Sequence, residues 1–415
     1  MLQKTLGDLG IGRRDFIVVF GLLVNAFTWL LFLRLIIEQA STKITEEPNE
    51  LALIWSAFYL SIIGFSIIGA VVSKRFSREK FLQLWIVFGV IASLLPVLFN
   101  NFTVTNLAVV SAIFGASFGL GMPSCLAFFT ETTKVENRGR TSAIILLFAS
   151  LLSPLIAISF EELGLLAISI ICAVWRGTAL IFHFLRPKVG DLVGKINTSF
   201  ISILKERTFL LFFVAWLIFS VVDIMEGTLV EGYLDYNNKE EIIEVMYLIE
   251  PVIATFFILI AGIMCDWIGR KKIVLSGFVA LGAAYAIIGF ISNSDISWYL
   301  YFVVDSAAWG IFYLTFVLVL WGDLSKLESG EKYYALGSIP FFVSYIIPYL
   351  LPPIDIENFL LYFAFSIAAF FLFLAVLPLV FAPETLPEKK MELRRLRSFA
   401  EEARKAKEKY ERKKK

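Results

Sequence analysis

Gly262-Ile263-Met264-Cys265-Asp266-Trp267-Ile268-Gly269-Arg270-Lys271-Lys272 is a short polar turn between two long apolar runs, 245–265 and 273–292. Gly262 lies on the apolar side, where the missing side chain lets two helices approach closely. Asp266 is placed to accept hydrogen bonds from the exposed amides at a neighbouring helix N-terminus. Arg270, Lys271 and Lys272 hold the turn on one side of a membrane.

Working outward from that turn, the rest of the chain repeats the pattern of apolar run and polar punctuation. A membrane-crossing helix needs about 20 mostly apolar residues. Twelve such runs occur: 16–38, 51–73, 81–100, 105–129, 141–160, 164–185, 208–232, 245–265, 273–292, 296–321, 334–352 and 358–381. They are too long and too continuous for the roughly 10-residue alternating strands of a membrane barrel. Of the 415 residues 58% are hydrophobic and 18% charged, with a mean hydropathy of +0.79, which excludes an ordinary water-soluble globule. The net charge of +1 gives no reason to expect a nucleic-acid partner. The single histidine, His183, excludes a multi-histidine metal centre, and Cys125, Cys172 and Cys265 are too scattered for a zinc site, so no enzyme, metal or cofactor is expected.

Alternate loops hold 33 of the 37 Lys and Arg residues, the opposite loops only Lys43 and Lys239, and the spans Arg34 and Arg176. That bias places both termini in the cytoplasm of a multi-pass cell-membrane protein.

The spans starting at 16, 51, 105 and 141 map onto 208, 243, 297 and 333 by adding 192, and Glu131 and Lys134 map onto Asp323 and Lys326. A duplicated six-helix unit accounts for this register. The expected architecture is an all-α integral membrane protein of 12 transmembrane helices as two pseudo-symmetric six-helix bundles. An N-terminal bundle (1–185), a cytoplasmic linker (186–207), a C-terminal bundle (208–382) and a charged tail helix (383–415) make up the chain.

The 262–272 turn resembles the signature Gly-x-x-x-Asp-x-x-Gly-Arg-Lys-Lys of the major facilitator superfamily at every fixed position. The resemblance extends over about 10–385. Glu131, followed seven and eight residues later by Arg138-Gly139, and Pro383-Glu384-Thr385 are similar to its sugar-porter branch. The first-half turn departs from the signature, with Lys74 in place of the acid and Ser77 in place of the second glycine. The resemblance implies a conformational latch built from Gly262, Asp266, Gly269, Arg270, Glu131 and Arg138, rewired in the first half. It also implies a central cavity lined by the first, fourth, seventh and tenth helices.

Six ionisable residues fall well inside spans: Arg34, Arg176, Asp223, Glu226, Glu250 and Asp305. Each costs about 2.5–3.5 kcal/mol at the bilayer centre, so they are expected to pair, bind protons or face water. Arg34 and Glu226 are equivalent under the 192-residue shift, and the family architecture implies that they pair across the pseudo-twofold axis. Asp223, three residues before Glu226, offers Arg34 a second partner. Asp305, one turn before Trp309, together with Glu250, Asn25 and Trp309, completes the expected cavity and coupling set. These residues suit a secondary transporter of a small polar organic solute, a sugar or similar metabolite, that works by alternating access with proton coupling. The alternative is a proton-driven exporter of organic cations. The expected partners are a small-molecule substrate, protons and the lipid bilayer.

Overall fold

The computed structural model describes residues 12–99, 101–160, 163–184, 198–292, 294–325, 329–350 and 361–387. Described residues form helices and turns and no strand. The first half contains α1 (Arg13–Ser41), α2 (Pro48–Val72), α3 (Arg78–Ser93), α4 (Val104–Thr132), α5 (Arg138–Phe160) and α6 (Leu165–Phe184). The second contains α7 (Arg207–Tyr236), α8 (Glu240–Ile268), α9 (Arg270–Phe290) and α10 (Asp295–Leu324). It ends with the short helices α11 (Gly330–Gly337), α12 (Ile339–Ser344) and α13 (Ile347–Leu350), followed by α14 (Leu361–Phe381). Ten of the described helices are long and apolar enough to cross a membrane. The expected tail helix lies almost wholly outside the described residues, as does most of the expected linker.

Local chemistry sets several boundaries. Ser77 caps α3 by accepting from the Lys80 amide at 3.4 Å, and Thr103 caps α4 by accepting from Asn106 at 3.3 Å. Pro48 opens α2, where its missing N–H costs nothing. Gly269 separates α8 from α9 with φ 105°, a conformation that side-chain-bearing residues rarely adopt.

The eleventh apolar run differs from the expected single span 334–352. It breaks after Gly337 and again after Ser344, and Pro340 and Pro348 stand at the starts of the pieces that follow. Each proline removes a helical N–H and crowds the preceding turn, which favours a break at these two points. In α10 the backbone widens into a π-helical stretch, Tyr313–Val319, at the depth where that helix meets both halves.

Packing follows the duplication. Within the first half α2 lies along α4, and α1 against α6; within the second, α8 lies along α10 and α7 against α14. Between halves, α5 packs on α8 and α2 packs on α11, α12 and α13. These two seams exchange under the 192-residue shift. Small residues make the close approaches: a Cβ on Gly262 would stand 2.5 Å from the Ala143 Cβ and 2.7 Å from the Gly139 carbonyl oxygen. Within the first half, a Cβ on Gly69 would stand 1.9 Å from the Leu120 carbonyl oxygen, whereas Gly64 on the same helix faces open space.

Gly69→Ala is therefore expected to destabilise the detergent-purified protein by about 1–3 kcal/mol, because α2 and α4 must separate. Gly64→Ala should be neutral or slightly stabilising, since alanine is the better helix former. Thermal unfolding of the two variants beside the wild type checks the contrast.

Candidate functional site: a central cavity above a charge network

The turns around residues 73–78, 133–138 and 266–270, together with 324–325 and 329–330, gather at one end of the molecule, here the basic face. Asp323, at the end of α10, is the centre of a charge network there, with its side chain fully buried. Arg138 from the start of α5 donates to its Oδ1, and Arg270 Nε from the start of α9 donates to its Oδ2 at 2.9 Å. Thr385 Oγ1 adds a hydrogen bond at 3.2 Å. The network thus ties the first half of the chain to the second through one carboxylate.

Two helix N-termini are capped by acids from distant elements. Asp266 accepts from the Gly139 and Arg140 amides of α5, both at 3.0 Å, and also contacts Arg140 Nε at 3.2 Å and Arg270 at 3.3 Å. Glu384 accepts from the Arg270 and Lys271 amides of α9 at 2.8 and 3.2 Å. Carboxylates at these positions meet both the unpaired amides and the positive end of the helix dipole. Gly269 has to be glycine on two counts, since its φ is positive and a Cβ would stand 2.2 Å from Glu384 Oε2.

The first-half equivalent of Arg270 is Arg78, which the 192-residue shift would have located. Arg78 bridges Glu131 of α4 at 3.0 Å and Glu331 of α11, and its Nη1 donates to the Ser124 carbonyl at 3.3 Å. Arg78–Glu131 and Arg270–Asp323 are repeat-related pairs, and in each half a further charge reaches across the seam. Arg140, Glu331 and Glu384 were not among the expected latch residues. Glu331 and Arg140 carry no sequence signal apart from their place in a charged turn.

Above this network lies a small apolar void of about 50 Å³, bordered by Met122, Leu126 and Trp321. Aromatic rings roof it. Phe27 contacts Tyr313 at 6.4 Å between ring centroids, Trp216 stacks on Phe316 at 4.7 Å, and Phe118 meets Phe342 at 6.4 Å. Beyond the rings opens a cavity of about 590 Å³ that takes its walls from α1, α2, α5, α8, α10 and α12. Arg34, Glu250, Asp305 and Trp309 line it.

Three expected members of the cavity set lie elsewhere. Glu226 does not pair with Arg34: its carboxylate accepts from Tyr301 and from Tyr285 at 3.1 Å, inside the second half. Two phenols from α9 and α10 already satisfy that acid, so no cation is needed beside it. Arg34 instead stands 5.0 Å over the Tyr345 ring, within the tyrosine group Tyr59, Tyr345 and Tyr349. Asp223 does not serve Arg34 either, because Trp309 Nε1 donates to it at 2.7 Å.

Asn25 is buried inside the first half rather than on the cavity wall. Its Oδ1 accepts from Arg176 Nη1 at 2.8 Å, and its Nδ2 donates to the Trp175 carbonyl at 2.6 Å. Arg176, also fully buried, is held between Trp29 and Trp85, with the guanidinium 4.3 and 4.0 Å from their ring centroids. Such desolvated cation–aromatic contacts are worth about 2 kcal/mol or more each. Gly89 leaves the room, since a Cβ there would stand 2.9 Å from Arg176 Nε.

No protein-family model and no curated protein sequence matches the chain. Solved structures do. The proton:xylose symporter XylE bound to 6-bromo-6-deoxy-D-glucose aligns with 16% identity over 89% of this chain and 96% of its own, at a TM-score of 0.65. The human organic anion transporter MFSD10 (TETRAN) aligns with 15% identity over 88% and 99%, at 0.64. The major facilitator superfamily transporter FucP in the outward conformation aligns with 13% identity over 88% and 99%, at 0.68.

Removing one partner from a buried ion pair costs about 3–5 kcal/mol, because the remaining charge stays desolvated. Asp323→Asn weakens the hold on two arginines at once, whereas Glu331→Gln leaves Arg78 with Glu131. The first variant is expected to lose more thermal stability than the second. It should also speed maleimide labelling of Cys265, which is fully buried beside Arg270. Melting temperatures and labelling rates in detergent measure both effects. From its helices, its packing and these likenesses, the chain has the fold of the major facilitator superfamily transporters.

Proposed function

We propose that this protein is a secondary active transporter that moves a small polar organic solute across the cell membrane by alternating access, coupled to protons. The observation that carries the reading is a cavity between the two halves of the chain, with the basic face beneath it closed by an aromatic layer and by the Arg138–Asp323–Arg270 network. The bias of Lys and Arg toward one set of loops supports assigning that face to the cytoplasm. The conformation is then shut toward the cytoplasm, and the network and caps act as the latch of that state.

The two proposed six-helix units, 1–185 and 208–382, would rock about the cavity. Opening the basic face requires Arg138 to leave Asp323 and the amides of α5 to leave Asp266. Both losses are costly in a dry interior, so substrate or proton binding has to offset them. The α5–α8 seam, with Gly139 against Gly262, is the close contact that must loosen.

The coupling protons are assigned to the Asp223–Glu226 pair on α7. These carboxylates lie one turn apart, with no basic partner within 4.0 Å among the described residues. Trp309, whose indole holds Asp223, lines the cavity and so joins that pair to the substrate space. Acids inside a membrane that lack a basic partner commonly serve as proton relays. Likeness to the proton:xylose symporter supports a coupled transporter at the level of fold alone.

Proteoliposomes under an inward proton gradient, offered radiolabelled sugars, amino acids and carboxylates, test the assignment. One solute class is expected to accumulate above equilibrium and to leak out when a protonophore is added. The Asp223→Asn, Glu226→Gln double variant should keep counterflow exchange of that solute while losing gradient-driven accumulation. Accumulation that survives in the double variant would remove the pair as the proton site, and equilibration without accumulation would remove coupling.

A further inference from the structure

The cavity carries opposite charges on separate walls. Arg34 enters from α1, and Asp305 and Glu250 enter from α10 and α8. No carboxylate lies within 4.0 Å of Arg34 among the described residues; its guanidinium rests on the Tyr345 ring. Asp305 is 7% exposed, and its Oδ1 has no hydrogen-bond partner. Trp309, one turn further along α10, does not supply one, because its indole N–H is committed to Asp223 at 2.7 Å.

Between the two charges runs a strip of rings. Tyr345 contacts Phe341 at 5.1 Å between centroids, and Phe341 contacts Trp309 at 6.5 Å. The charged groups are therefore held apart, with an apolar, polarisable surface between them. No Asn or Gln side chain lines the cavity among the described residues, so the amide groups that read out a ring of hydroxyls are missing. A purely cationic solute would leave Arg34 with no anion within ion-pair distance, and a purely anionic one would leave Asp305 and Glu250 with no cation. Buried charges left without partners are costly, so the ligand that suits this space satisfies both walls.

We propose that the transported solute is an elongated zwitterion, with a carboxylate or similar anion that docks on Arg34 and an ammonium group that docks on Asp305 and Glu250. An apolar middle lies along Tyr345, Phe341 and Trp309, where the cation also gains from the ring faces. The volume of about 590 Å³ falls within the range of roughly 300–1,000 Å³ typical of small-molecule sites. This inference rests on the transporter reading for its biological meaning, and on the cavity alone for its chemistry.

The test compares four defined probes on the detergent-purified wild-type protein: 6-aminohexanoate, hexylamine, hexanoate and D-xylose. Saturable thermal stabilisation reports binding to the folded state. The expected result is that 6-aminohexanoate binds at least tenfold more tightly than hexylamine or hexanoate and that D-xylose gives no shift. Arg34→Gln should reduce 6-aminohexanoate to the level of hexylamine and leave hexylamine unchanged. Asp305→Asn should reduce it toward the level of hexanoate.

Stabilisation by D-xylose with 6-aminohexanoate silent would overturn the proposal, as would equal binding of hexylamine or hexanoate. The comparison on wild-type protein needs no variant, so a variant that fails to fold does not decide it. Uptake into proteoliposomes separates the two readings. Binding of 6-aminohexanoate without uptake would remove transport and keep the ligand class. Uptake of D-xylose without zwitterion binding would remove the class and keep transport.

Discussion

A single carboxylate, Asp323, holds the basic face together. It is fully desolvated, and that cost is recovered only because two guanidinium groups reach it from opposite directions, Arg138 from the first half of the chain and Arg270 from the second. Arg270 is in turn fixed by a bond from Nη1 to the Cys265 carbonyl at 2.8 Å, and its own amide is capped by Glu384. Asp266, one turn before it, caps α5. Loops, helix ends and seam therefore stand or fall as a unit. Such a network suits a two-state element better than a permanent joint, because its bonds are strong while the face is dry and weak once water enters.

The same logic explains why the seam between α5 and α8 is lined by small residues. Asp266 can reach the Gly139 and Arg140 amides only if the backbones of the two helices nearly touch, and Gly262 against Gly139 permits that contact. A larger residue at either position would move the acid away from the amides it caps. Close packing and electrostatics are thus one constraint here.

Much of this was legible in the sequence. The spacing of the apolar runs gave the helices, and the 192-residue shift related Glu131 to Asp323 and would have located Arg78 from Arg270, because charged turns at a membrane surface tolerate few alternatives. The interior of the spans was less legible. Arg34 and Glu226 are equivalent in the repeat, yet aromatic hydroxyls and rings satisfy each of them separately, and tyrosines in an apolar run look like any other core residue until their partners are seen. Asn25 failed for a related reason: its partner is Arg176, about 150 residues away, and neither position announces the other. The break in the eleventh run was foreshadowed by Pro340 and Pro348, which outweigh the hydropathy of the stretch.

What results is a separation of charge that the net balance of the chain conceals. Both cations well inside spans, Arg34 and Arg176, lie in the first half, and the four acids well inside spans, Asp223, Glu226, Glu250 and Asp305, lie in the second. Direct pairing across the seam would have tied the two halves together at mid-membrane, against the rocking that the proposed function requires. Aromatic groups stabilise the charges instead: Trp29 and Trp85 for Arg176, Tyr345 for Arg34, Tyr285 and Tyr301 for Glu226, and Trp309 for Asp223. Each partner belongs to the same half as the charge it serves, except Tyr345, which reaches Arg34 across the cavity. The one contact that crosses is thus a ring on a cation, weaker than an ion pair and able to give way, while the unsatisfied Asp305 faces it over the same space. The field between those two walls is directional, and under the proposed function it would orient a dipolar solute before either half moved.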